Sequence, residues 1–236
     1  MKHLVAEEPA LYGGEHYRDY HFLLTLSDGV APEGIEHHES SDDRRSDSMQ
    51  PTRRSTRPTR TSCPMSTRTR GTASTGGPPD LAVDTYQDPE KTDLFWVYEG
   101  LNEYNGEKLA TRAGLNDFGV QLDELAEAAA AMDAENGRDW RPICDTADAA
   151  PFLYVAPSQY YETPRSAGDF ATEGNLIWLD ADVRIRELTG GQRSLDDVMK
   201  LCGNGSDTQD APHYLGYDEA EVVALMNRVA LYDRRL

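Results

Sequence analysis

Residues 45–79 contain no Leu, Ile, Val, Phe, Tyr, Trp or Lys, while eight Thr, six Ser, seven Arg and five Pro fill the segment. A packed layer needs large apolar side chains to bury, so this stretch contributes none. It divides the 236-residue chain into a start at 1–44, a middle at 45–79 and a remainder at 80–236. By composition alone the middle part reads as a disordered basic linker.

The formal net charge is −19. The seven Arg of the middle part face a single acid, Asp47, so the flanking parts are more acidic than the total suggests. This balance excludes nucleic acid and anionic membrane as partners, because phosphate binding needs clustered Lys and Arg. No run approaches the roughly 18 apolar residues of a membrane span, and the first residues lack the apolar stretch of a signal peptide. Cys63, Cys144 and Cys202 are odd in number and form no CxxC, so a reduced, cytoplasmic chain is expected. The 38 % hydrophobic content is compatible with a packed core elsewhere.

Residues 5–44 read as strand-forming. In "YHFLLTLS", Phe22, Leu24 and Leu26 alternate with His21, Leu23 and Thr25, a period of two. "GIEHHESS" follows a Pro-Gly turn and reads as a neighbouring edge strand. From about residue 93 the period becomes helical. Asp93 is the expected cap of a helix whose Leu94, Val97, Tyr98 and Leu101 form one stripe. The next helix carries Phe118, Leu122, Leu125, Ala129 and Met132 as an expected buried stripe. Further helices are predicted over 174–188, over 194–202 with Ser194 as N-cap, and over 218–230 with Asp218 and Glu221 as a capping box. Strands first and helices afterwards give an α+β domain.

"DLFWVYEGLNEYNGEKLATRAGL" (93–115) resembles a segment of the glycyl aminopeptidase family, zinc metallopeptidases of the gluzincin type. "ALYGGEHYRDYHFLLTLSDGV" with "GIEHHESSDDR" (10–44), "WRPICDTADAA" (140–150) and "GDFATEGNLIWLDADVRIRELTGGQRSLDDVMKLCGNG" (168–205) fit the same family in order and spacing. The resemblance implies a thermolysin-like metallopeptidase catalytic domain, without the β domain and peptide-binding module that members usually add. It implies hydrolysis of small N-terminal residues such as Gly from peptides with a free N-terminus. In that family a helix bearing HExxH supplies two zinc-binding histidines and a glutamate general base. A glutamate about thirty residues beyond the second histidine is the third ligand, and Glu99 matches it. Three protein ligands leave one tetrahedral position for a water whose pKa zinc lowers. On this spacing the histidines should stand at 65 and 69. The chain has Met65 and Thr69 there, with Ser66 where the general base belongs.

The coding possibilities of residues 64–79 suggest why. Codons permitted by "PMSTRTRGTASTGGPP" include a set that, read from the third base, translates as HEYTHSWNGKYRRPA. Its two histidines fall over Met65 and Thr69, thirty residues before Glu99. Methionine has one codon, and that codon supplies the last two bases of a histidine codon and the first base of a glutamate codon. Two origins stand side by side: an out-of-frame translation of roughly 45–79 between compensating frameshifts, or a basic linker. Either way the encoded polypeptide lacks the metal-binding helix, and exposure of the stripe over 94–101 is the expected structural cost.

The resemblance touches four further places. Glu36 aligns with an edge-strand glutamate that receives the substrate's α-amino group, a charge-assisted contact. His37 and His38 are neighbours in a strand and point to opposite faces, which argues against a shared zinc. Ala171 in "DFATEG" stands where the family often has a tyrosine; related enzymes use such a tyrosine to stabilise the oxyanion. Tyr160 and Tyr161 lie nearby and are assigned to packing. The chain as written is expected to be inactive and to hold no zinc through Glu99 alone. The competing expectations are a metal-free pseudoenzyme or peptide-binding module using Glu36, and a non-functional fragment.

Overall fold

The structure, a computed structural model, describes residues 2–30, 33–37, 39–45, 77–78, 81, 83, 85, 87–91, 93–134, 136–150, 169–203 and 216–231. His38, Cys63, Tyr160, Tyr161 and nearly all of the middle segment therefore lie outside the described residues.

Helix α1 spans Lys2–Tyr12 and buries Leu4, Glu8, Leu11 and Tyr12. This corrects the reading of residues 5–12 as strand. The buried set is spaced i, i+4, i+7, i+8, which is helical, but Glu8 occupies one position and Pro9 sits inside the helix. A carboxylate in the stripe hides its periodicity; packing of Leu4, Leu11 and Tyr12 into the main core overrides the proline.

Three strands follow: β1 (His21–Leu26), β2 (Glu33–Glu36) and β3 (Ser40–Arg45). The sheet order is β1-β3-β2, with β1 parallel and β2 antiparallel to β3. The expected edge strand is thus present as β2, while the residues just beyond it form a separate central strand. β3 reads "SSDDRR" and has no apolar residue, so its place in the sheet comes from its two hydrogen-bonded ladders. Its buried Ser41 hydroxyl donates to buried Asp43 at 2.9 Å, which satisfies polar groups in the middle of the sheet.

The described part of the remainder is mainly helical. It comprises α2 (Phe95–Arg112), α3 (Phe118–Asp133), a 3-10 turn over Asn136–Asp139, α4 (Ile143–Asp148), α5 (Asp169–Leu188), α6 (Leu195–Gly203) and α7 (Glu219–Val229). The main core joins Val97, Leu101 and Leu109 of α2 to Trp178 and Ile185 of α5, to Leu195 and Met199 of α6, and to Met226 of α7. Val97, Tyr98 and Leu101 are buried, so the expected exposure of the 94–101 stripe is not found. Helix α5 covers that face.

The helix starts show which sequence signals carried weight. Asp218 and Glu221 form the reciprocal capping box at α7. Ser194 Oγ accepts the Asp196 amide and Asp197 accepts the Ser194 amide, so the α6 cap also matches expectation. At α2 the cap position is Leu94, with no side-chain cap bond, and Asp93 lies in the preceding turn. The α3 stripe is only partly buried: Met132 is inside, whereas Phe118 is 66 % and Leu122 50 % exposed. At the end of the middle segment Gly77 and Pro78 are buried, and the Gly77 carbonyl accepts the Tyr217 amide at 3.1 Å.

Candidate active-site scaffold

Glu99 sits in the second turn of α2, half-buried, one residue before the closest approach of two helices. A Cβ at Gly100 would lie 2.6 Å from the Gly174 Cα, and a Cβ at Gly174 would lie 2.7 Å from the Trp96 carbonyl oxygen. Backbone packs on backbone there, and only glycine fits at either position. The crossing places "WVYEG" of α2 against "FATEG" of α5. Glu99 and Ala171, both singled out in the sequence, therefore lie on two helices locked at one point.

Aromatic residues fill the neighbouring space. Phe95 stacks on Tyr98 with ring centroids 6.1 Å apart and packs on Phe170 at 5.3 Å. Phe170 is fully buried with Ala147 and Ala150, and Ala171 packs against this small cluster. Ala171 brings no hydroxyl to the crossing.

Deeper along α2, polar side chains tie the helices together. Buried Glu107 accepts from Gln121 Nε2 at 2.7 Å and from Asn175 Nδ2 at 3.2 Å, joining α2, α3 and α5. Tyr104 donates to Asp182 Oδ2 at 2.6 Å, while Asp182 Oδ1 accepts the Leu195 amide at 2.7 Å. Burial and then Asp182 raise the Tyr104 hydroxyl far above its ordinary value, so it remains a donor. Lys108 Nζ and Arg112 Nη2 each approach Asp196 to 2.7 Å. Burial pushes the Asp196 carboxyl up, but the two cations outweigh it and hold it below the ordinary range. Burial lowers the Lys108 ammonium, against the pull of Asp196. Cys202 is pushed up to about 11 by burial, which leaves it a thiol rather than a ligand or nucleophile at neutral pH.

Sequence reasoning missed this network. One signal for part of it existed: Asn105 lies four residues after Leu101 and four before Leu109, within the apolar stripe, and it is fully buried. Gln121, Glu107 and Asn175 gave no such sign, because their partners are far apart in the chain.

Glu36 ends β2, paired in register with Ser41 of β3, at the sheet edge where an extended peptide would add. His37 is exposed, and its amide donates to the Ser40 carbonyl at 2.8 Å. Among the described residues no group of three His, Cys, Asp or Glu side chains is placed to hold a metal ion. Positions 65 and 69, outside the described residues, carry Met and Thr, neither of which replaces an imidazole on zinc. The donors of the described residues do not fit a three-ligand catalytic metal. Among the described residues no helix is long and apolar enough to cross a membrane.

The family model for M61 glycyl aminopeptidase matches residues 75–177, which include both glycines of the crossing. Over that segment the chain is similar to this peptidase family. Its fold is similar to the crystal structure of an aminopeptidase N family protein from Idiomarina loihiensis, with a TM-score of 0.71 at 18 % identity. That superposition covers 85 % of this chain and 35 % of the other, so the chain spans about a third of that protein's length. No curated protein matches the sequence.

Proposed function

We propose that this chain is the scaffold of a zinc-dependent, thermolysin-like glycyl aminopeptidase catalytic domain that has lost its metal helix and is inactive as encoded. The single observation carrying this reading is the mismatch between the two halves of one site. Glu99 stands on a helix packed backbone to backbone against α5, while Met65, Ser66 and Thr69 occupy the positions of the two histidines and the base. One carboxylate without two further protein donors binds zinc weakly, and no residue remains to take a proton from a metal-bound water.

The purified chain is expected to hold well under one equivalent of zinc by elemental analysis and to leave a glycyl arylamide uncleaved. Near-stoichiometric zinc with turnover refutes the reading. A chain in which residues 65–79 are replaced by HEYTHSWNGKYRRPA should recover zinc, and Glu99→Gln in that background should lower its affinity at least tenfold. Sequencing the DNA across codons 40–85 decides whether the segment is out of frame.

A second reading is favoured by the edge position of β2: a metal-free module that binds the N-terminus of a peptide through Glu36. Calorimetry with a Gly-initiated peptide should then give saturable heat that Glu36→Ala abolishes. Absence of heat removes this alternative.

A further inference from the structure

The N-terminal helix is held to the body as a bound ligand would be. Taken alone, α1 is a poor helix: it has 11 residues, Pro9 inside it, no acid in its first turn and no base in its last. A helix this short is marginal in water even with good formers, and an interior proline removes a backbone hydrogen bond. Its helical form therefore comes from what it packs on.

That surface is the groove between α2 and α6. Leu4, Leu11 and Tyr12, each 1 % exposed, join one core with Leu101 and Leu109 of α2 and with Val198 and Met199 of α6. Shape fixes the end of the helix. A Cβ at Gly203, the last residue of α6, would run into the Tyr12 carbonyl oxygen, so glycine lets the two helix ends meet. Gly13, at φ +76°, then turns the chain away beside Lys200. The covalent route from this part to the helical body runs through residues 45–79, which have no large aliphatic or aromatic side chain. The link supplies proximity, and the groove supplies the affinity.

We propose that the α2–α6 groove is a helix-recognition site whose occupant is this chain's own N-terminal part, and that the two parts remain a specific complex when the chain is cut between them. Recognition rests on Leu4, Leu11 and Tyr12, at i, i+7 and i+8 of a segment that folds as it binds. It uses neither Glu99 nor Glu36, so it is independent of the peptidase reading.

The test uses the full chain with a specific-protease recognition sequence inserted between Arg57 and Pro58. A covalent tether corresponds to a roughly millimolar local concentration, so cutting at about 10 µM lowers it on the order of 100-fold. The two pieces should still run together in size exclusion and appear as one complex by native mass spectrometry. Leu11→Ser with Tyr12→Ser should weaken the cut complex by about tenfold or more, as should Gly203→Ala on the groove side. Leu24→Thr, on the exposed sheet face, should leave it unchanged. Circular dichroism of each uncut variant checks that the helical body stays folded. The cut unsubstituted chain decides by itself: pieces that separate at this concentration overturn the proposal. Equal weakening by Leu24→Thr also overturns it, because the sheet then carries the association. An uncut chain that runs as a dimer, and becomes a monomer on Leu11→Ser with Tyr12→Ser, overturns the assignment by giving the groove to a second copy.

Discussion

The sheet and the α2–α5–α6 body treat polarity in opposite ways. In the helical body Leu109, Ile185 and Leu195 are inside, and the buried Asp182 and Glu107 have named donors. In the sheet Leu23, Leu24 and Leu26 are more than half exposed, while Ser41 and Asp43 are the buried residues of the central strand. The helical body is closed by its own side chains. The sheet is held by backbone ladders, and one run of its leucines stays exposed. The segment that follows β3 in the sequence has no Leu, Ile, Val, Phe, Tyr or Trp.

This contrast can be broken by substitution, beginning where the effect is greatest. Asp196→Asn should cost about 3 kcal/mol in denaturant unfolding, because it strands the buried Lys108 ammonium. The same residue sets an acid response. With its folded pKa held down, Asp196 contributes stability that is complete above the ordinary carboxylate pKa and is lost as pH falls through the lowered folded value. Acid titration of unfolding should therefore show a loss below about pH 4 that Asp196→Asn removes.

Gly174→Ala should cost about 2 kcal/mol or more, since its methyl would meet the Trp96 carbonyl and the Gly100 Cα at under 3.0 Å. A neutral result would show that the two helices are not in backbone contact. Asp218→Ala, which removes the α7 capping box, should cost about 1 kcal/mol, read as a lower unfolding midpoint. Leu24→Thr in the sheet, at a residue 61 % exposed, should change stability by less than about 0.5 kcal/mol. A cost above about 1.5 kcal/mol would mean that the sheet face is covered in solution, and the contrast between the two regions would fail.

Much of the helical body was legible because its signals are local. Ser194, Asp218 and Glu221 act within one turn of themselves, and the stripe over Val97, Tyr98 and Leu101 repeats at the helical period. The failures share a cause, which is that a distant partner decided the outcome. Glu8 interrupts the α1 stripe, and packing onto the core rather than pattern makes that segment helical. Gln121 turns α3 through a bond to Glu107, so Phe118 and Leu122 face water. β3 has no strand pattern and is fixed by its two neighbours. Of the candidate site, Glu99 and its helix were readable by resemblance, and the glycine contact with α5 was not. Gly100 and Gly174 are each ordinary in sequence, and their meaning appears only when the 73 intervening positions are folded together.

The glycine crossing has a consequence for how such a chain can drift. Side-chain contacts degrade by degrees, because a leucine can become a valine and the neighbours settle. A junction built from two bare backbones has no intermediate settings, so its spacing stays unchanged or the helices part.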